Sequence, residues 1–391
     1  MGLSKVTFNV GRDGLGRRAA NEDKVSGIIF FNDTPPAGWT LSTDNVKLVY
    51  TLDEAEQLGL LAASVGHEEE WYHVSEFFRN NSEGEIYIGY YAIPPGVYDF
   101  TELEDLQSQA AGRIRQVGIY SLATWDGTSP TALQTVIDTV DGTGGRLVAI
   151  LAENMAAVVN WGAETDLRTL SASKVSVVIG QDGGAAGLAL YTAGGVTVSA
   201  LGAALGILSF SSVQQSIGWP RAFNVSNGTE LEVPALANGD LVSEQSSALM
   251  GGLKDKGYLI LRKFTPQFAG TFFERQPGAV VATDDFAWIE YSRTMDKAIR
   301  LVESALTPDL NRDLVLDSDG KLSSDVVGYF SDLCQTPLDA MQADSEISAS
   351  DVLIDPDQNI LSTSTLIVTI KIVPVGIAEF ITVNIGFTVE I

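Results

Sequence analysis

The last eleven residues, Ile381-Thr-Val-Asn-Ile-Gly-Phe-Thr-Val-Glu-Ile391, alternate without interruption between an apolar side chain and threonine, asparagine, glycine or glutamate. Strict alternation with a period of two is typical of a β-strand with one buried face. A strand of this length would reach ~35 Å, whereas a usual strand has ~5–6 residues. Burying its six apolar side chains would contribute on the order of 9–18 kcal/mol before entropy is subtracted. We therefore expect this end of the chain to be covered.

Two interpretations of this end remain open from the pattern alone. Residues 366–373 predict a preceding strand, which Pro374 ends. The final strand could belong to a sheet of its own subunit. It could instead be donated to the sheet of a neighbouring subunit, because β-augmentation covers an apolar strand with another chain. An uncovered apolar strand would promote aggregation.

The composition limits the possible functions. The chain has 391 residues, 45% of them hydrophobic, which is enough for two or three domains with a sizeable core. Its net charge of −26 argues against nucleic acid or an anionic membrane as a partner. The single cysteine, Cys334, excludes an internal disulfide and a thiolate metal cluster. With no segment that resembles a signal peptide or a membrane span, we expect synthesis in a bacterial cytoplasm without secretion and without membrane insertion.

Acidic residues are concentrated in the middle of the chain. Residues 26–255 contain 9 basic and 27 acidic residues, a net charge of −18, whereas the two ends together contain 15 and 23, a net charge of −8. This difference predicts that the two ends form one unit that faces different surroundings from the middle.

The middle of the chain predicts an α/β fold, because strands and helices alternate. Such alternation favours a mostly parallel sheet with helices on both faces. Gly202 and Gly206 are four residues apart and would allow a very close helix contact. The predicted strands are 25–31, 46–50, 86–92, 117–122, 146–151, 175–179, 187–191 and 258–264; the predicted helices are 51–63, 68–78, 101–115, 129–138, 241–252 and 286–306.

The predicted helix 286–306 has an apolar stripe and a separate basic face. Arg293, Lys297 and Arg300 lie on that face, at intervals of four and three residues. The pattern permits a solvated face with local acidic partners, or a basic ridge that contacts an acidic partner.

Residues for catalysis or metal binding are hard to find. His67 and His73 are six residues apart, which does not match the spacing of a helical zinc pair. The glycine-rich junction at residues 180–187 lacks a basic anchor for a phosphate. We therefore predict no catalytic residue, no metal and no cofactor. The alternative hypothesis is a nucleotide- or sugar-binding α/β enzyme, based on the glycine-rich junctions and the doubly wound middle.

Taken together, the order of segments resembles the contractile tail sheath proteins of bacteriophages and related contractile injection systems. No single motif is decisive, and the likeness covers most of the chain from about residue 20. It rests on residues 201–206 leading to 213–219, residues 256–263 followed by 270–273, residues 284–298 continuing to 319–321, and the paired C-terminal strands around Pro374.

The resemblance implies an architecture. It implies an N-terminal arm and linker (1–24), an outer α/β domain (25–255), an inner tube-facing domain with a small mixed sheet (256–375, with the N-terminal segment) and a donated C-terminal strand (376–391). The tube contact maps to Arg293, Lys297 and Arg300. The residues that would join subunits by strand donation are Val6, Phe8, Val10, Ile381, Val383, Ile385, Phe387, Val389 and Ile391.

The resemblance also implies partners and a mechanism. The subunits would form a homo-polymer of six-fold rings around a tail tube protein, with baseplate and tail terminator proteins at its ends. A contact that does not close into a flat ring grows as a helix. Contraction would then be a rigid-body rearrangement that drives the tube through a target envelope, as in viral genome ejection, without a fuel molecule. The protein would be found in a virion tail or an assembled injection particle.

Overall fold

The computed structural model describes residues 19–264, 266 and 268–388. Residues Ala19–Lys24 form a short 3₁₀ helix. Within the described residues the strands are β1 (Val25–Phe31), β2 (Val46–Val49), β3 (Glu85–Tyr91), β4 (Gln116–Thr124), β5 (Val148–Asn154), β6 (Ser171–Ala172), β7 (Val175–Val178), β8 (Gly180–Asp182), β9 (Pro234–Leu236), β10 (Tyr258–Leu259), β11 (Leu261–Phe264), β12 (Phe268–Phe273), β13 (Ala279–Val280), β14 (Ile347–Leu353) and β15 (Thr369–Pro374). The helices are α1 (Leu52–Gln57), α2 (Glu68–Asn80), α3 (Glu102–Gln109), α4 (Ser129–Gly142), α5 (Ala185–Gly194), α6 (Leu201–Phe210), α7 (Ser247–Asp255), α8 (Ile289–Leu306), α9 (Ser324–Ala343) and α10 (Ile360–Thr363).

A seven-stranded sheet forms the centre of the molecule, in the order β10-β7-β5-β4-β1-β3-β2. All neighbouring strands are parallel except the edge pair of β2 and β3. The predicted α/β class, with a mostly parallel sheet, is therefore confirmed.

Both faces of this sheet are buried, as parallel sheets require. All seven residues of β1 are buried. Ile29 of β1 belongs to the core shared with Leu106 of α3 and Ile137 of α4. Phe30 points to the opposite core, which it shares with Phe77 of α2 and other residues of α2 and α6. The alternation along a single strand thus fills two separate layers.

Helices α2 and α6 pack with their backbones nearly in contact. A Cβ atom on Gly202 would lie 2.0 Å from the carbonyl oxygen of His73, and one on Gly206 would lie 2.6 Å from that of Phe77. Two glycines spaced by one helical turn therefore allow the close contact that the sequence predicted.

Several predicted boundaries need correction. The predicted strand at 187–191 is part of helix α5, because an apolar run of small residues does not distinguish a strand from a helix. The helix predicted to reach residue 115 ends at Gln109, since Ala111 and Gly112 have positive φ angles of 53° and 69°. Helix α9 was not predicted, and it contains Pro337. Cys334 lies buried on α9.

A third, smaller core joins the C-terminal part of the chain. Ala298 of α8 packs with Leu338 and Met341 of α9 and with Ile347 of the antiparallel hairpin β14–β15. Strand β10 and Ile289, by contrast, belong to the central sheet and its core. The change from the central core to this third core thus lies along α8. The domain boundary at residue 256 stays a prediction.

Candidate assembly interface

The C-terminal segment, residues 375–388, extends from the hairpin and has no strand pairing within the described residues. Its apolar side chains are exposed: Ile381 is 80% accessible, Val383 75% and Ile385 94%. Phe387 is likewise fully exposed. Large exposed apolar patches mark interaction sites. Coverage of this segment by its own subunit is therefore not observed for residues 381–388.

The hairpin offers two open strand edges beside this segment. Strands β14 and β15 pair only with each other within the described residues. Val352, Ile370 and Ile372 pack against the third core, whereas Leu353 and Val373 are exposed. Two strands with free edges can accept further strands.

One carboxylate attaches the C-terminal segment to the body. Glu379 lies 2.6 Å from Lys254 Nζ at the end of α7 and 3.5 Å from Arg275 Nη1 after β12. All three side chains are less than 20% exposed. We call this group the C-terminal clamp. Each of its two cations has a further carboxylate partner. Lys254 pairs with Glu274 at 3.2 Å, and Arg275 pairs with the buried Glu290 at 2.6 Å.

The clamp raises the basicity of its lysine. Burial alone would lower the pKa of Lys254, but hydrogen bonds and charge from Glu379 and Glu274 raise it above its ordinary value. Lys254 Nζ also lies 5.2 Å from the centre of the Phe380 ring. The lysine is therefore charged at neutral pH and contacts two consecutive residues of the segment.

Helix α8 carries charged residues that contact several other parts of the chain. Arg293 is 4% exposed and donates hydrogen bonds to the carbonyl oxygen of Leu208 at 2.9 Å and to Ser211 Oγ at 3.0 Å. It also donates to the carbonyl oxygens of Ser211 and Ser212. These acceptors form the C-terminal end of α6, where a cation complements the helix dipole. Burial lowers the pKa of Arg293 to about 10.

On the next turn of α8, Lys297 and Arg300 bind Asp23, near the start of the described chain. Lys297 lies 2.7 Å from Asp23 and 2.6 Å from Glu346, which precedes β14. Arg300 pairs with Asp23 as well. Burial alone would lower the pKa of Lys297, but Asp23 and Glu346 raise it. On the side facing the sheet, Asp296 pairs with Lys174 at 2.7 Å.

These contacts correct the geometry expected for Arg293, Lys297 and Arg300. The pattern left open a solvated face with local acidic partners or a basic ridge, and the resemblance implied the ridge. In the structure all three side chains are largely buried in contacts within the chain. Burial of a cation requires hydrogen bonds or a charged partner, and the fold supplies both. Contact of α8 with a tube stays a prediction, and these three side chains do not form an exposed ridge for it.

The residues predicted for strand donation divide into two groups. Ile381, Val383, Ile385 and Phe387 are exposed, as a donated strand requires before assembly. The remaining five, Val6, Phe8, Val10, Val389 and Ile391, lie outside the described residues. Donation itself stays a prediction.

The sequence analysis missed Glu379 and its partners. The one available signal was a lone glutamate within an otherwise apolar run, Ile377-Ala-Glu379-Phe-Ile381. Lys254 and Arg275 lie more than 100 residues away in sequence, so only the fold brings them to Glu379.

The glycine-rich junction that supported the enzyme alternative has an acidic environment. The backbone N–H of Ala186, at the start of α5, donates to Glu230 Oε2 at 3.3 Å. Asp182 lies in the same place, and burial raises its pKa. A carboxylate thus occupies the helix terminus where a phosphate would bind.

The two histidines have separate surroundings. His67 Nδ1 lies 2.7 Å from Glu70 Oε2, whereas His73 is fully buried next to the Tyr120 ring, with a centroid distance of 4.5 Å. Burial lowers the pKa of His73 to about 3. Among the described residues, no group of three or more histidine, cysteine, aspartate or glutamate side chains is arranged to hold a metal ion. Among the same residues, none of the helices combines the length and apolar character needed to cross a bilayer.

Comparison with known proteins gives similarity to a protein family and to a solved structure. A family model described as "DUF2586, C-terminal domain" matches residues 285–391. One chain of the cryo-EM structure of the anti-feeding prophage (AFP) baseplate, six-fold symmetrised, shares the fold with a TM-score of 0.64 and 14% sequence identity. The similarity covers 99% of this chain and 99% of that chain. A search of curated proteins gave no match.

Proposed function

We propose that this protein is a structural subunit of a contractile, phage-like particle, and specifically its sheath subunit. The observation that carries the proposal is the fold similarity over the full length of both chains to a prophage baseplate chain. The order of motifs that resembles contractile sheaths supports the same assignment independently. In this role the protein needs no cofactor and catalyses no reaction.

The exposed C-terminal segment supports an assembly role. Residues 381–388 present apolar side chains that the described part of the subunit leaves uncovered. Among the residues that the structure describes, the hairpin β14–β15 of the same subunit has free edges. A segment from one copy that pairs with the hairpin of the next copy would bury these apolar side chains and occupy a free strand edge. Repetition of this contact from copy to copy produces a polymer.

Contraction follows from such a polymer without hydrolysis of a nucleotide. The subunits would assemble around a tail tube in rings, with six-fold symmetry as the expected arrangement. Rotation of near-rigid subunits would then exchange one set of interfaces for another with more buried area. Baseplate and terminator proteins are the expected partners at the two ends, and the assembled particle is the expected location.

A component of the baseplate itself is the second candidate, because the similar chain comes from a baseplate structure. The sheath candidate and the baseplate candidate differ in the size of the assembly that they form. A sheath subunit polymerises into long tubes, whereas a baseplate subunit closes into one ring or needs other proteins. The enzyme alternative predicts a small closed oligomer with a saturable ligand.

Negative-stain electron microscopy of the concentrated full-length protein tests this assignment. We expect tubes of stacked rings for the full chain. A chain that ends at residue 375 should keep its fold and form no tubes, because it lacks the donated strand. Single rings would favour the baseplate candidate, and small closed particles at every concentration would contradict both structural roles.

A further inference from the structure

We propose that Glu379 is a positioning residue: held between Lys254 and Arg275, it fixes the point and direction at which the C-terminal segment leaves the subunit. This inference rests on the proposed function, because the segment matters only if it joins one copy to another. It adds a residue that determines where the joining strand begins.

Residues 375–387 have few other polar contacts with the described part of the body. Residues 375–381 lie beside a groove of ≈ 840 Å³, whose other walls include Trp219, Pro220 and Phe264. The segment forms one wall of this open groove and is not enclosed by the body. Among residues 375–387, Glu379 makes the ion pairs with the described part of the body.

The two cations that bind Glu379 are themselves held by other residues. Arg275 stacks over the Trp288 ring, with 4.1 Å between the guanidinium carbon and the ring centre, and pairs with buried Glu290 on α8. Lys254 is held by Glu274. A carboxylate held by two cations that are themselves fixed has a defined position, whereas a single exposed ion pair does not.

A similar arrangement occurs near the opposite end of the described chain. Asp23 pairs with both Lys297 and Arg300 of α8, and all three side chains are less than 20% exposed. Both ends of the described chain are thus fixed by one carboxylate between two cations. Force applied to the C-terminal segment would pass through Arg275 and Glu290 into α8.

The position of the clamp sets the reach of the segment. Beyond Glu379 the described chain has nine residues, which span ~30 Å when extended. If the starting point is free to move, the strand end samples a much larger volume, and its effective concentration at a neighbour's hairpin falls. Glu379 therefore raises the probability that the strand meets its acceptor.

A fluorescent label on the segment tests the clamp in the unassembled subunit. Val383 is 75% exposed, and the native Cys334 is buried, so V383C is the site that a maleimide dye labels selectively in the full chain. We expect E379Q to lower the residual anisotropy of this label. The same substitution should leave unchanged a label at V315C, which is at another exposed position. Equal anisotropy with and without E379Q at residue 383 would overturn the clamp.

Assembly measurements on the unlabelled chain test the positioning role. We expect E379Q and K254M each to raise the critical concentration for polymers about three- to fivefold, as loss of a partly buried ion pair implies. The effect of the double variant E379Q/K254M should be smaller than the sum of the two single effects, because each single variant already removes the Glu379–Lys254 pair. D357N, which breaks the exposed pair of Asp357 with Lys321, is the matched control and should assemble as the unaltered chain does.

The outcomes separate this inference from the proposed function. Polymers of the unaltered chain with an unchanged critical concentration in E379Q would overturn the positioning role and leave the proposed function intact. Strictly additive effects of E379Q and K254M on the critical concentration would likewise overturn the positioning role and leave the proposed function intact. If the unaltered chain forms no polymer, the proposed function fails, and the positioning role fails with it.

Discussion

Gly202 and Gly206 bring α6 so close to α2 that the next larger side chain does not fit. The atoms that a Cβ would meet are backbone atoms of His73 and Phe77, which cannot move away as a flexible side chain can. The two helices cover one face of the central sheet, so this contact supports the layer in which Phe30 is buried.

Replacing Gly202 by alanine should therefore lower the free energy of unfolding by at least about 2 kcal/mol, because overpacking against backbone forces the helices apart. Thermal or urea denaturation of the full chain measures this change. The matched control is G251A in α7, where a Cβ would meet nothing within 4 Å. We expect that substitution to be neutral or stabilising by up to ~1 kcal/mol. Equal effects of the two substitutions would contradict the close contact.

Glu153 on β5 is a second residue whose surroundings have a measurable consequence. It is 2% exposed, and burial raises its pKa to about 7, although Ser129 acts in the opposite direction. In the unfolded chain a glutamate has an ordinary pKa near ~4.3. The folded state therefore binds the proton more tightly, and its stability decreases as the pH rises from the unfolded to the folded pKa.

Replacing Glu153 by glutamine should remove this dependence. At pH 8 we expect E153Q to be about 2–3 kcal/mol more stable than the unaltered chain, and at pH 4 the two should differ little. Denaturation curves at pH 4, 6 and 8 measure the difference. A constant difference across this range would mean that Glu153 ionises normally in the folded state.

At the scale of the elements, α8 joins the central sheet, the C-terminal hairpin and the start of the described chain. Arg293 binds the end of α6, Lys297 binds Glu346 before β14, and both Lys297 and Arg300 bind Asp23. A helix with such contacts moves with the body of the subunit. This rigidity is what a subunit needs if contraction is a rearrangement between copies.

The Arg293 contact makes a prediction about α6. R293M leaves the carbonyl oxygens of Leu208 and Ser211 without this donor, which should lower the free energy of unfolding by about 2–4 kcal/mol. Hydrogen exchange should increase first in α6, and thermal denaturation should occur at a lower temperature. R312M, which breaks an exposed pair with Asp309 beyond the same helix, should leave the stability nearly unchanged. An unchanged exchange rate in α6 would contradict the capping role.

The elements differ in how well the sequence predicted them. Strand β1 of the central sheet was predicted with its observed bounds, because buried parallel strands are apolar along their whole length. Helix α5 was wrongly predicted as a strand, and α9 was missed because its apolar pattern is weak and Pro337 interrupts it. The basic face of α8 was recognised, but its partners Asp23, Glu346 and the end of α6 are distant in sequence. The sequence pattern therefore predicted which residues of α8 form a basic face, but not that these residues are buried.

At the scale of the whole molecule, the described subunit is well packed except at its C-terminal segment. The central sheet is covered on both faces, and the hairpin is supported by α8 and α9. Residues 381–388 remain exposed, although their alternation is that of a half-buried strand. The sequence thus encodes a strand whose apolar side chains at residues 381–387 are not covered by the described residues of one copy.

A cryo-EM map of polymers assembled from the full-length protein tests this account most directly. We predict that residues 381–388 extend from Glu379 as a strand that pairs with the β14–β15 hairpin of an adjacent copy, so that Val383 and Ile385 are buried between subunits. A map in which the same residues fold back onto their own hairpin, with the copies joined only through other surfaces, would contradict it.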